Sequence, residues 1–390
     1  MGDARAPGRP LLVLNAGSST LKFSLFDAAG SGAPRRSARG AVEGIGVHPR
    51  LVVADDAPRN ADAADHAGAF GVVAEWLDAH LRGARPIAVG HRVVHGGTRY
   101  ADPVRVDDEV LAGLAALTPL APLHQPQALA AIRGVRDRWP GVAQVACFDT
   151  AFHHGRTELV EAFALPRDLF ESGVRRYGFH GLSYEHIAHV LPAVAPEIAD
   201  GRVIVAHLGN GASLCGMRAR RSVETTMSFS ALDGLPMGTR VGDLDPAVVL
   251  YLIVERGMSP EDVSTLLYTR SGLLGLSGVS SDVRELIASP APRARFALEF
   301  FAYRIAREVG ALAGALGGLD GLVFTAGIGE RAAPVRADVC ARLTWLGVRL
   351  DEAANRGHGQ RISTADSRVG VFVVPTDEEA VIARHTLGLA

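Results

Sequence analysis

The sequence has 390 residues, a formal net charge of −2, 48% hydrophobic and 21% charged residues. That length allows two or three domains, each with its own core. No basic tract or acidic tail points to nucleic acid or an anionic membrane, and no apolar run reaches the roughly 18 residues of a membrane span.

Residues 1–10 hold no apolar stretch and do not read as a leader. Leu11–Leu14 is a short apolar run, the pattern of a buried strand. Asn15-Ala16-Gly17-Ser18-Ser19-Thr20 is a turn of small and polar residues, whose amides and hydroxyls can approach an anion. Leu21, Phe23 and Leu25 then alternate with Lys22 and Ser24, the returning strand of a hairpin. Of 40 lysines and arginines, only Lys22 is a lysine. Where arginine serves every other cationic position, this one suits a compact charge that a guanidinium fork cannot replace; the alternative is a solvated hairpin lysine.

Residues 28–60 read as surface loops and weak strands, and 72–81 as a helix. The strand signal at 87–94 places Arg92 just before Gly96-Gly97. Prolines stiffen the loop 118–126, 128–138 reads as a helix, and the buried strand 142–148 ends on Asp149. A domain boundary falls at residue 150, because residues 202–217 repeat the opening pattern of strand, small-residue turn and strand. Two copies suggest a duplicated α/β domain facing a shared cleft. Residues 294–316 form a long helix with a core face. The strand 322–324 runs into a third glycine turn, 325–330, and the strand 371–374 precedes a closing helix. Cys147, Cys215 and Cys340 are far apart and lack metal spacing, as reduced buried thiols of a cytosolic protein would be.

Glycine turns after strands, at Gly17, at Gly209 and Gly211, and at Gly327 and Gly329, fit a nucleotide held by backbone amides. None matches a phosphate-loop or dinucleotide pattern. Arg92 at a strand end suits a carboxylate or phosphate, or a surface salt bridge. Asp149 either points into a crevice at the carboxyl end of a strand or caps a helix. His180 lies in a Tyr-Gly-Phe-His-Gly loop and is a reactive or a merely packed histidine. Arg240, in a dense Gly-Thr-Arg loop, meets a ligand or braces the loop. No zinc site or hydrolase triad can be assembled.

Taken in order, Asn15–Ser19, His91–Gly97, Cys147–His153, Tyr177–Gly181, His207–Gly211, Gly238–Arg240, Asp282–Arg284, Gly327–Glu330 and Pro375–Glu379 resemble the motifs of the acetate kinase family, in the sugar kinase/Hsp70/actin superfamily. The resemblance covers nearly the whole chain. It implies two duplicated ribonuclease H-like α/β domains with an active-site cleft between them: residues 1–150, with the closing helix 380–390 packing back on them, and a nucleotide-binding domain 151–379. It implies reversible transfer of the γ-phosphoryl group of ATP to acetate, giving acetyl phosphate and ADP, with Mg²⁺ or Mn²⁺, in a cytoplasmic homodimer. By position, Asn15 and Glu378 would serve the metal. Lys22, His207, Leu208, Gly209, Asn210, Gly211, Asp282, Val283, Arg284, Gly327, Ile328, Gly329, Glu330 and Arg331 would bind ATP. Arg92 would hold the substrate carboxylate, with Val94, Leu123 and Phe179 around the methyl group. Asp149 corresponds to the family's essential acid, and His180 and Arg240 to its transition-state stabilisers.

The chain departs from the family pattern at four places. Arg331 replaces Asn and Val283 a larger residue, which bears on the nucleotide. Ala231 replaces Pro in the substrate-facing loop, which bears on acyl-chain length. Leu182 and Tyr184 replace Thr and His, with no consequence legible in the sequence. Two other functions compete: a propionate or butyrate kinase, and a non-catalytic actin- or Hsp70-like ATP-binding scaffold.

Overall fold

The computed structural model describes residues 8–30, 32–54 and 56–390; residues 1–7, part of the leader reading, lie outside them. The chain forms two compact units, one of Met1–Ala151 with Asp377–Ala390 and one of Phe152–Thr376.

The first unit holds strands β1 (Pro10–Ala16), β2 (Thr20–Asp27), β3 (Arg35–Glu43), β4 (Arg50–Val53), β5 (Arg59–Asn60), β6 (Ala88–Val93), β7 (Val104–Arg105) and β8 (Ala143–Phe148), in the sheet order β5-β4-β3-β2-β1-β6-β8-β7. β1 is buried along its whole length because both faces of the sheet are covered. Leu12 and Leu14 share a core with Phe70, Val73 and Leu77 of the helix His66–His80 and with Ala131 and Val135 of the helix Gln125–Arg138. Each of these leucine, valine and phenylalanine side chains contributes about 1.5–3 kcal/mol by burial.

The opposite face carries Val13 and its β6 neighbour Gly90. The closing helix, Glu378–Leu389, lies there. Gly90 is required by this packing: a Cβ would stand 2.5 Å from Cγ2 of Ile382 and collide with Thr386. Asn15 and Arg92 lie two residues beyond Val13 and Gly90, hence on this same face.

The second unit holds β9 (Arg202–Leu208), β10 (Ala212–Arg218), β11 (Arg221–Thr225), β12 (Gly321–Thr325) and β13 (Gly370–Val373), in the order β11-β10-β9-β12-β13. Strands β3-β2-β1-β6-β8 and β11-β10-β9-β12-β13 have the same sequence of pairings: two antiparallel, then two parallel. The duplicated α/β architecture expected from the two hairpins is present. The helix Pro292–Leu316 buries Phe301, Ile305, Val309, Leu312 and Leu316, the face its spacing marks.

Of two local expectations, the surface strands within 28–60 are present and the third glycine turn is not. Residues 28–60 include β3, which pairs with β2 from Thr20 to Asp27. Its side chains are mostly exposed, so backbone pairing rather than a hydrophobic pattern holds it. The stretch 325–330 is not a turn: Ala326 takes the left-handed conformation, φ 63°, and opens the short helix Ala326–Arg331.

Candidate active site

Strand register builds one half of the site. Asn15 pairs with Lys22 across the hairpin and with Arg92 across the parallel pair, and Arg92 pairs with Cys147. Paired residues point to the same face, so Lys22, Asn15 and Arg92 form a row. Asp149 lies two residues past Cys147 and returns to that side.

Arg92 donates from Nε to Oδ1 of Asp149 at 2.9 Å, from Nη2 to Oδ2 at 2.5 Å, and from Nη1 to Oδ1 of Asn15 at 3.1 Å. The Asp149 side chain is 2% exposed and that of Arg92 16%. This is neither a surface salt bridge nor a helix cap. Burial disfavours the guanidinium charge, but the carboxylates of Asp149 and Glu378 outweigh it and hold Arg92 above its ordinary value. Glu378, in the first turn of the closing helix, belongs to the same group. Burial pushes its carboxyl up to about 7; Asp149 and Glu379 push the same way, and Arg92 and Lys22 oppose them. Asp377 caps this helix by accepting from the Ala380 amide, and also pairs with Arg36.

Val94 is buried two residues past Arg92, whereas Leu123 is 43% exposed in its proline-bounded loop. Two side chains not singled out in the sequence brace the turn after Arg92. Thr150 Oγ1 accepts from the Gly96 amide at 3.1 Å, and Gln125 Nε2 donates to the His95 carbonyl at 3.2 Å. Both side chains are buried; Thr150 directly follows Asp149 at the end of β8, the one sequence signal available, and nothing in the sequence marks Gln125.

In the second unit, a cavity of about 400 Å³ is lined by three separate stretches. They are Gly209 and Asn210; Ser281, Asp282, Val283, Arg284 and Ile287; and Gly327, Ile328, Arg331 and Ala332. Three of the expected nucleotide segments thus meet at one cavity, of a size that suits a small ligand. Ser281, Ile287 and Ala332 were not anticipated. Asp282 caps the helix Val283–Ala288 and pairs with Arg284, whose hydrogen bond holds the Asp282 carboxyl below its usual range.

His207, Leu208, Gly211, Gly329 and Glu330 lie off the cavity wall. The His207 ring stacks on His180 with centroids 4.2 Å apart, and its Nδ1 is 2.8 Å from Ser183 Oγ. Glu330 accepts from the Thr376 amide at 3.2 Å. Phe179 is buried, and its carbonyl lies 2.9 Å from His153 Nε2. Gly211 brings His180 and Arg240 together: a Cβ there would stand 3.1 Å from Nε2 of His180 and 3.9 Å from Nη1 of Arg240. Arg240 donates from Nη1 to the Ala231 carbonyl at 3.0 Å, so the two loops are joined at its guanidinium.

Residues 10–384 match the sequence profile of the acetokinase family. The chain belongs to that family. An acetate kinase of Nitrobacter hamburgensis is 53% identical over 97% of this chain and 96% of its own length. The acetokinase architecture recurs in solved structures. That of an acetate kinase from Porphyromonas gingivalis has a TM-score of 0.87 at 37% identity, covering 98% of this chain and 100% of the other. That of a propionate kinase from Francisella tularensis has a TM-score of 0.91 at 34% identity, with the same coverage.

Proposed function

We propose that the chain transfers the γ-phosphoryl group of ATP reversibly to acetate, giving acetyl phosphate and ADP. The observation that carries the reading is the gathering of Asn15, Arg92, Asp149 and Glu378 on one face of the first unit. The cavity formed by the three nucleotide segments supports ATP as the donor.

A carboxylate is already ionised at neutral pH, so the nucleophile needs no general base. Asp149 is engaged at both oxygens by Arg92, which suits it to orient the guanidinium rather than to take a proton. Arg has five N–H donors. The three hydrogen bonds to Asp149 and Asn15 leave two for a substrate carboxylate. The phosphoryl transition state spreads negative charge over its equatorial oxygens, so cations and donors carry the catalysis. Arg240, His180 and Lys22 take these roles, and Val94, Leu123 and Phe179 shape the acyl pocket. The residues 207–211, 282–284 and 327–331 hold the nucleotide.

The donor set also fits Mg²⁺ or Mn²⁺. Mg²⁺ is commonly held by one or two carboxylates, waters and substrate phosphates rather than by a full protein cage. The described residues contain no cluster of three His, Cys, Asp or Glu that could form such a cage. They do offer Glu378 and Asn15 as oxygen ligands, and the raised Glu378 carboxyl marks a site that a dication would relieve. When bound, the ion neutralises charge on the phosphates.

The helix Pro246–Val254 is apolar throughout and has no buried residue; Leu250 is 62% and Val254 71% exposed. A second copy of the chain covers it, giving a homodimer. Light scattering is expected to show a dimer that Leu250→Arg converts to a monomer. Cys147, Cys215 and Cys340 are all buried, which suits thiols kept reduced in a cytoplasmic enzyme.

The deciding experiment is a coupled assay of ADP formation with acetate, propionate and butyrate in turn. Turnover with acetate supports the reading, and no turnover with any carboxylate overturns it. Arg240→Ala is expected to lower kcat by roughly 10³–10⁵ with little change in the KM for ATP.

A further inference from the structure

The helix Gly181–Val194 starts directly after His180 and carries Tyr184 one turn on. Tyr184 and Ser213 are both wholly buried. The Tyr184 hydroxyl lies 2.5 Å from Ser213 Oγ, which lies 2.8 Å from Nδ1 of His180. Tyr184 is one of the four departures from the family pattern, and this chain of hydroxyls gives it a role.

The chain can run in two directions. In one, Tyr184 donates to Ser213 and Ser213 donates to Nδ1 of His180. Every hydrogen is used, and the imidazole keeps its own proton on Nε2. In the other, His180 donates from Nδ1 to Ser213 and Ser213 donates to Tyr184. The phenol hydrogen then points into a core shared with Ile187, Leu191, Val205 and Cys215. Leaving a buried hydroxyl hydrogen without an acceptor costs its full desolvation, so the first direction prevails. An imidazolium would force the second direction, because both of its nitrogens donate.

We propose that Tyr184, acting through Ser213, is a positioning residue that fixes His180 as a neutral imidazole with its proton on Nε2. The inference rests on the reading of His180 as a donor to the transferring phosphoryl group. Other groups facing the chain agree with it. The Arg240 guanidinium and the His180 ring both flank Gly211, so a second cation at His180 would meet like charge. The His207 ring is stacked on His180 and bonded to Ser183, and His153 lies edge-on to Tyr184, neutral because burial and Arg156 lower it to about 3.

The test is NMR of the full-length protein with ¹⁵N-labelled histidine, the His180 ring signals being assigned by their loss in His180→Gln. The wild type is expected to show a protonated Nε2 and an acceptor Nδ1 from about pH 6 to pH 8. Tyr184→Phe keeps the ring and removes the donor. Its His180 is expected to gain the Nδ1–H form and to titrate at higher pH. Its kcat is expected to fall about tenfold or more, with the acid limb of the pH profile moved upward and the KM for ATP unchanged. Ser213→Ala cuts the same link from the other side and reads it if Tyr184→Phe does not fold. Ser183→Ala should alter His207 and leave His180 as it is. A wild-type His180 protonated on Nδ1, or an unchanged His180 ring in both variants, overturns the proposal. A changed ring with unchanged kcat supports the wiring and overturns the catalytic reading of His180 instead.

Discussion

The Arg92 guanidinium and the Asp149 carboxylate meet at two points, Nε with Oδ1 at 2.9 Å and Nη2 with Oδ2 at 2.5 Å. The pair ties the end of β6 to the end of β8, while Asn15 holds the third nitrogen from β1. The side of the guanidinium left over therefore has a fixed direction before any substrate arrives. Such preorganisation removes part of the ordering cost of binding.

Arg92→Lys keeps the charge but cannot hold both Asp149 oxygens and Asn15 together. A hydrogen bond to a charged group contributes about 1.5–3 kcal/mol, roughly a ten- to hundredfold change in affinity. The KM for acetate is expected to rise by that factor while the KM for ATP stays within about twofold. Steady-state kinetics with each substrate varied in turn reads the two separately. An unchanged KM for acetate would mean that the carboxylate is held elsewhere.

Lys22 tests the meaning of a single lysine in an arginine-rich chain. It is exposed on β2, in the row with Asn15 and Arg92, and its charge already pulls the Glu378 carboxyl downward. Lys22→Arg retains the charge and enlarges the head. A clear loss of kcat/KM for ATP is expected, with an unchanged circular dichroism spectrum. Full activity in this variant would make Lys22 a solvated hairpin residue.

Much of this site was legible before the structure, for a physical reason. Asn15, Arg92 and Asp149 sit at or just past the ends of strands, where an apolar run gives way to a polar residue and a turn. Tyr184 and Ser213 were hidden because their contact joins a helix to a strand 29 positions away. The glycines at 327 and 329 suggested a turn, yet the segment is a short helix that opens on the left-handed Ala326, a conformation no glycine marked. β3 was legible only as a weak surface strand, because an arginine- and alanine-rich strand with exposed side chains carries no hydrophobic signature.

Acid should destabilise the first unit through His91. This side chain is buried and bonded to Gln144 at 2.8 Å, and burial lowers it from 6.5 to about 4 despite that bond. Its folded value lies below its unfolded value, so its stabilising effect is complete above about pH 6.5 and is lost as the pH falls toward 4. Between pH 7 and pH 5 the loss is about 2 kcal/mol. His91→Gln does not titrate there, so its stability should fall by about that much less over the same interval, as read by urea unfolding at both pH values. Equal losses in the two proteins would show that His91 accepts a proton in the folded state.

The acyl pocket should admit propionate. The Ala231 carbonyl accepts from Nη1 of Arg240 at 3.0 Å, which places this loop at the proposed transition-state cation. An alanine there lacks most of the ring that a proline would present. One extra methylene in a tight apolar pocket is worth roughly 1–3 kcal/mol of discrimination. Where there is space for it, the methylene instead gains about 0.8 kcal/mol by burial. The steric cost is then largely offset, and kcat/KM for propionate should approach that for acetate. Butyrate should remain poor, because one missing ring does not accommodate two methylenes. Ala231→Pro keeps the carbonyl that Arg240 uses and restores the ring, so it should return the preference to acetate without a large change in kcat for acetate itself. A wild type that already rejects propionate by about a hundredfold, near the top of that range, would mean that Ala231 does not face the acyl chain or that the loop closes over the gap.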